Sequence, residues 1–117
     1  MMSEHNVQGW IKDQVTTNDV VLFMKGTKDF PQCGFSGRVA QILAYLGVPY
    51  KDVNVLADPN VRDGIKAYTN WPTIPQLYVK GEFVGGADIV TEMFQTGDLQ
   101  TFLTEKGVPT NKTHAVA

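Results

Sequence analysis

Apolar residues first recur at helical spacing: Val7, Trp10, Ile11 and Val15 share one stripe, and the Asn18-Asp19 pair behind them reads as a turn. Val20 to Met24 is an unbroken apolar run with β-branched residues, the pattern of a central strand covered on both faces. Gly26 to Gln32 then makes a loop closed by Pro31, and from Gly34 to Leu46 the residues Val39, Ile42, Leu43 and Leu46 form a helical stripe that Gly47 and Pro49 end. Tyr50 to Val55 alternates as a strand does. Asp58-Pro59 supplies an N-cap and a first-turn proline for a helix reaching about Tyr68. Two strands, Gln76 to Val79 and Phe83-Val84, flank a hairpin turn at Lys80-Gly81-Glu82. Asp88 is placed to cap a helix carrying Ile89, Val90, Met93 and Phe94, and Asp98 to start a last one with Leu99, Phe102 and Leu103.

The resulting order alternates helices and strands, and the first two strands are joined by a crossover long enough to make them parallel. The expectation is an α/β domain over residues 1–106, with a four-stranded mixed sheet flanked by five helices, and a flexible tail over 107–117. A chain of 117 residues, 43% apolar, buries a core without disulfides, and its single cysteine offers no intramolecular partner. The net charge of −2, with mixed signs, gives no footprint for nucleic acid or an anionic membrane. No apolar run approaches the length of a membrane span, and Met1 to Val15 lacks the features of a secretory or transit peptide. A reducing compartment, the cytoplasm or an organelle after processing, suits such a chain.

The chemistry gathers around Cys33. It stands between a proline-bearing loop and a predicted helix, so its sulfur faces unpaired N–H groups and the positive end of the helix dipole, which favours thiolate. Lone cysteines are most often inert core residues, but Pro31-Gln32 and Gly34 are loop residues that keep this one accessible. Ser36 occupies the second position of a Cys-x-x-Cys spacing, where a hydroxyl cannot resolve a mixed disulfide; alone it also reads as an ordinary first-turn residue. Lys25 lies across the loop, near enough to support a thiolate or meet a carboxylate, although a lone lysine is ordinarily solvated. Arg62 and Lys66 share a helix face, as a cationic patch or a plain solvated one. Thr73-Ile74-Pro75 leads into a strand with a ladder donor missing, either a turn or a site where the Ile74 backbone pairs with an extended ligand. Gly85-Gly86 with Asp88 fits equally a turn-plus-cap or a close approach of ligand to backbone N–H groups. His5 and His114 have no partners at metal-ligand spacing.

Taken together, Met24-Lys25-Gly26-Thr27, Pro31-Gln32-Cys33-Gly34-Phe35-Ser36, Trp71-Pro72-Thr73-Ile74-Pro75-Gln76-Leu77 and Gly85-Gly86-Ala87-Asp88 closely resemble the monothiol glutaredoxins of the Cys-Gly-Phe-Ser type, in order and spacing, over roughly residues 5 to 105. The resemblance implies a thioredoxin-like fold with a cis Pro75 facing Cys33 across a glutathione groove. It implies that Lys25 and Arg62 meet the glycyl carboxylate, Ile74 gives backbone hydrogen bonds to the cysteinyl unit, and Ala87 with Asp88 holds the γ-glutamyl end, with Thr73 and Gly86 as neighbours. It also implies a 2Fe-2S cluster shared by a homodimer. Such a cluster takes four thiolates, and one Cys33 per chain with two glutathiones supplies them.

Three functions compete on this reading. One is a carrier that hands the cluster to apo iron-sulfur proteins, for which the family also implies a BolA-like partner. The second is a glutathione-dependent thiol-disulfide oxidoreductase acting through Cys33. The third is a redox-sensing interaction module.

Overall fold

The computed structural model describes residues 3–110 of the chain. Its elements run α1 (Glu4–Thr17), β1 (Val20–Met24), α2 (Gly34–Leu46), β2 (Lys51–Asn54), a single 3-10 turn (Val55–Ala57), α3 (Pro59–Thr69), β3 (Gln76–Val79), β4 (Glu82–Gly85), α4 (Ala87–Thr96) and α5 (Asp98–Glu105). The sheet order is β2-β1-β3-β4. β1 pairs parallel to β2 and antiparallel to β3, with Val21 opposite both Lys51 and Tyr78, and β3 pairs antiparallel to β4. The expected α/β architecture, with four strands, five helices and β1 in the interior, is the one observed.

Strand alternation divides the core in two. Val20, Leu22 and Met24 of β1, with Leu77 and Val79 of β3, pack against α2, α4 and α5 through Val39, Leu43, Leu46, Val90, Leu99 and Leu103. Val21, Phe23 and Tyr78 point the other way, onto Val7, Ile11 and Val15 of α1 and Val61 and Ile65 of α3. Both faces of β1 are therefore dry, which is why its sequence reads as a continuous apolar run.

Three element ends differ from expectation. Asn54 turns the chain out of β2 early, because its Oδ1 accepts from Leu56 N–H at 3.0 Å and starts the 3-10 turn at Val55. The hairpin needs only Lys80 and Gly81, both at positive φ (52° and 81°), so Glu82 already belongs to β4. α4 begins at Ala87 with Gly86 as N-cap, leaving Asp88 in the first turn rather than at the cap. Beyond α5, Val108 N–H donates to Leu103 O at 2.8 Å and its side chain is buried in the core, so the chain still packs just after Gly107; residues 111–117 of the expected tail lie outside the described residues.

Candidate functional site

The loop from β1 to α2 is closed on itself. Gln32 N–H donates to Lys25 O at 2.9 Å, Thr27 and Phe30 exchange backbone bonds, and Gly26 N–H donates to Asn54 Oδ1 at 2.9 Å. Gly26 sits at φ +92°, and a Cβ there would lie 2.5 Å from Phe30 O and 2.6 Å from Gln32 N. Only glycine fits this crossing. Lys28 ties the loop to β2, its N–H donating to Asp52 Oδ2 at 2.8 Å and its ammonium to Tyr50 O at 2.9 Å. The loop thereby delivers Cys33 to the N-cap of α2, beside Lys25.

The Cys33 thiol pKa is lowered chiefly by the Ser36 N–H. Partial burial opposes this; the Phe35 N–H, the Lys25 charge and the Ser36 hydroxyl add to it. No side-chain capping bond closes at this N-cap, so these are open N–H dipoles facing the sulfur rather than a formed cap. Ser36 itself is fully buried, and its Oγ accepts from Lys25 N–H at 3.0 Å. Its hydroxyl therefore pins the helix start to the end of β1, a role the sequence did not disclose.

A groove of about 420 Å³ opens on one side of Cys33. Of the residues singled out from the sequence, Lys25, Thr73, Ile74, Pro75, Gly86, Ala87 and Asp88 all line it with Cys33. Arg62 does not: it is exposed, with Nε 3.5 Å from Asp63 Oδ1, while Lys66, one turn later on α3, faces the groove. The Ile74-Pro75 bond is cis, and the β1–β3 ladder ends at Gln76, leaving the Ile74 backbone outside it. Gly86 packs beneath this segment, where a Cβ would stand 3.3 Å from Pro75 O. The indole N–H of Trp71, another lining residue, is buried without a partner.

Gln76 holds this wall in shape. Buried completely, its Nε2 donates to Trp71 O and Thr73 O, each at 3.2 Å, while its Oε1 accepts from Thr69 Oγ1 at 3.1 Å and Tyr78 Oη at 3.0 Å. Burial pushes the Tyr78 pKa up to about 12, so the phenol remains a proton donor at neutral pH. A glutamine opening a strand carries no sequence signal for such a hub, since only the fold brings its four partners together.

A thiol of lowered pKa at a helix N-terminus and a cis proline line one groove, an arrangement that can receive a thiol-bearing ligand. The glutaredoxin family model matches residues 20–84. A monothiol glutaredoxin of Synechocystis is 60% identical over 93 residues, covering 80% of this chain and 87% of its own. The chain belongs to the monothiol glutaredoxins. Among solved glutaredoxins, a monomeric truncated mutant of Trypanosoma brucei 1-C-Grx1 superposes with TM-score 0.83 at 43% identity, over 96% of this chain and 98% of that one. A buckwheat glutaredoxin-glutathione complex superposes with TM-score 0.79 at 25% identity, over 91% and 94% of the two chains. The thioredoxin-like fold implied by the sequence motifs is thus the fold of this glutaredoxin.

Proposed function

We propose that this monothiol glutaredoxin binds glutathione in the groove beside Cys33 and that two such chains carry a glutathione-ligated 2Fe-2S cluster to apo iron-sulfur proteins. The observation that supports it most is the convergence on one groove of a thiolate-favouring Cys33, the cations Lys25 and Lys66, the Ile74 backbone and Asp88. Glutathione has two carboxylates, one ammonium and an extended backbone. The lysines suit its glycyl carboxylate, the amide edge at Ile74 its cysteinyl unit, and the N-terminus of α4 with Asp88 the carboxylate and ammonium of its γ-glutamyl end. The buckwheat relative is known in complex with glutathione.

The cluster is what the monothiol glutaredoxin family implies, and the donor count is compatible with it. The chain has one cysteine, and among the described residues no group of three or more His, Cys, Asp or Glu is placed to hold a metal ion. One chain cannot enclose a cluster, whereas two Cys33 thiolates and two glutathione thiolates complete the four sulfur ligands. Half of those ligands would be exchangeable small molecules, which suits cargo. A BolA-like partner belongs to the same proposal on family grounds alone, and a reducing compartment such as the cytoplasm would keep Cys33 free.

Anaerobic reconstitution with iron, sulfide and glutathione tests this reading, with absorption spectrum and native mass recorded beside Cys33→Ser. The expected result is a coloured dimer that requires both glutathione and Cys33. Colourless monomer in every condition would defeat the carrier reading and favour the oxidoreductase, which the lowered Cys33 pKa also supports and which needs only one thiol.

A further inference from the structure

A second and larger groove, of about 1020 Å³, opens on Cys33 from between α2 and α4. Cys33 is the one residue that lines both grooves. The helical repeat places Arg38, Gln41 and Tyr45 of α2 along one wall, outside the stripe that α2 spends on the core, and Phe94 and Gln95 of α4 form the other. Tyr45 is 53% exposed and meets Phe94 edge-on at 5.7 Å. Arg38 is the only basic or acidic side chain in the lining besides the Cys33 thiol, and among the described residues the side chains of Arg38, Gln41 and Gln95 have no hydrogen-bond or ion-pair partner. Thr91 Oγ1, in the same wall, is buried without a partner.

We propose that this groove receives the client polypeptide: an extended segment whose cysteine exchanges with Cys33, with an acidic side chain for Arg38 and an apolar one for Tyr45 and Phe94. Free carboxamides on facing helices suit the N–H and C=O groups of an extended chain, a guanidinium suits a carboxylate, and an exposed aromatic pair suits an apolar anchor. The spacing is specific. Arg38 lies about 7 Å along the helix from Cys33 and Tyr45 about 18 Å, at 1.5 Å rise per residue. An extended chain advances about 3.3 Å per residue, so the acidic residue falls about two positions from the client cysteine and the apolar one about five. No carboxylate lines the groove to compete for Arg38, so an acidic client meets complementary charge and a basic one does not. The inference uses the thiolate of the proposed function but neither its glutathione groove nor its cluster.

The reaction it predicts is disulfide exchange without net oxidation. The Cys33 thiolate attacks the client sulfur of a mixed disulfide, a Cys33–client disulfide forms, and the client's former partner leaves as a thiolate. The test uses peptides whose cysteine is activated as a 2-pyridyl disulfide, bearing Glu or Lys two positions away and Leu five positions away. Release of pyridinethione is followed with wild type and Arg38→Glu, and 2,2′-dipyridyl disulfide reports the reactivity of Cys33 alone. Each peptide rate is therefore taken relative to the small-disulfide rate of the same protein, which removes any change in Cys33 itself. The expected result is a several-fold preference of wild type for the Glu peptide, weakened by salt and reversed in Arg38→Glu. Equal peptide rates, or loss in Arg38→Glu that the small disulfide shares, would overturn it. A native mass showing that Arg38→Glu dissolves a dimer formed without glutathione would also overturn it, because the occupant would then be a second copy of the chain. A Cys33 inert toward the small disulfide would overturn this inference together with the proposed function, both of which rest on its thiolate.

Discussion

Cys33 owes its acidity to backbone groups more than to any neighbouring side chain, the Ser36 N–H first and Lys25 only behind it and Phe35. Lys25→Gln should therefore raise the Cys33 pKa while leaving it below that of a free thiol, and iodoacetamide alkylation rates measured against pH would show two displaced midpoints. The lowered pKa also links to folding: the thiolate's contribution to stability is full above the unfolded thiol pKa and is lost as pH falls through the folded one. Ser36 adds a second dependency, since Ser36→Ala strips the acceptor from Lys25 N–H. Gln76 carries more weight. Gln76→Leu strands two carbonyls and the Tyr78 hydroxyl at once, while the Thr69 hydroxyl keeps its bond to Ile65 O, and an unfolding titration should show a loss of about 2–4 kcal/mol. Because Gln76 also holds the Trp71 to Thr73 wall, Gln76→Glu should weaken the proposed glutathione binding by more than its stability loss accounts for, since a carboxylate would face both carbonyls. Calorimetric titration of the folded variant with glutathione would separate the two effects.

Among elements, the loop between β1 and α2 is where sequence and structure diverge most in informativeness. Its bounds were readable from Gly26, Pro31 and the helical stripe after Gly34, because turn residues and periodicity are local signals. What the loop does with them was not readable. The closure on Lys25, the anchor at Asn54 and the Lys28 bridge to β2 are contacts over 7 to 28 positions that no local pattern encodes. The same distinction explains α3, where the Asp58 cap and Pro59 were evident, yet which of Arg62 and Lys66 faces the groove depends on how α3 rotates onto α1. Gly64 lets α3 approach α1 closely there, since a Cβ at that position would stand 3.0 Å from Val7 Cγ1. Gly26→Ala tests the loop directly. The added methyl meets backbone atoms at 2.5 and 2.6 Å and cannot be relieved by a rotamer, so the chain should lose at least about 2 kcal/mol in a denaturant titration. The loss of loop closure should also make Cys33 alkylate with a pKa nearer that of a free thiol.

Across the whole molecule, one strand organises everything else. β1 is buried on both faces, lies between β2 and β3, and ends at Met24, just before Lys25, so both halves of the core and the thiol loop hang from it. The half beneath α2, α4 and α5 closes late in the chain, and its last member is Val108. The apolar stripe of α5 ends at Leu103, and a single valine after Gly107 has no periodicity to reveal it, so the sequence alone suggests that packing stops at about residue 106. The structure turns the chain back at Gly107, at φ +77°, joins Val108 N–H to Leu103 O and buries the valine at 3% exposure. A chain ending at Thr110 should therefore be more stable than one ending at Lys106. Burying a valine contributes about 1.5–2 kcal/mol and the hydrogen bond about 1 kcal/mol, so a difference of about 2–3 kcal/mol is expected between the two. Urea titrations of both chains would measure it, and midpoints that coincide would mean that α5 already completes this core. Since α5 packs on α4, whose first turn carries Ala87 and Asp88 into the groove proposed for glutathione, the shorter chain should also bind glutathione more weakly while its Cys33, held from β1 and α2, keeps its alkylation profile.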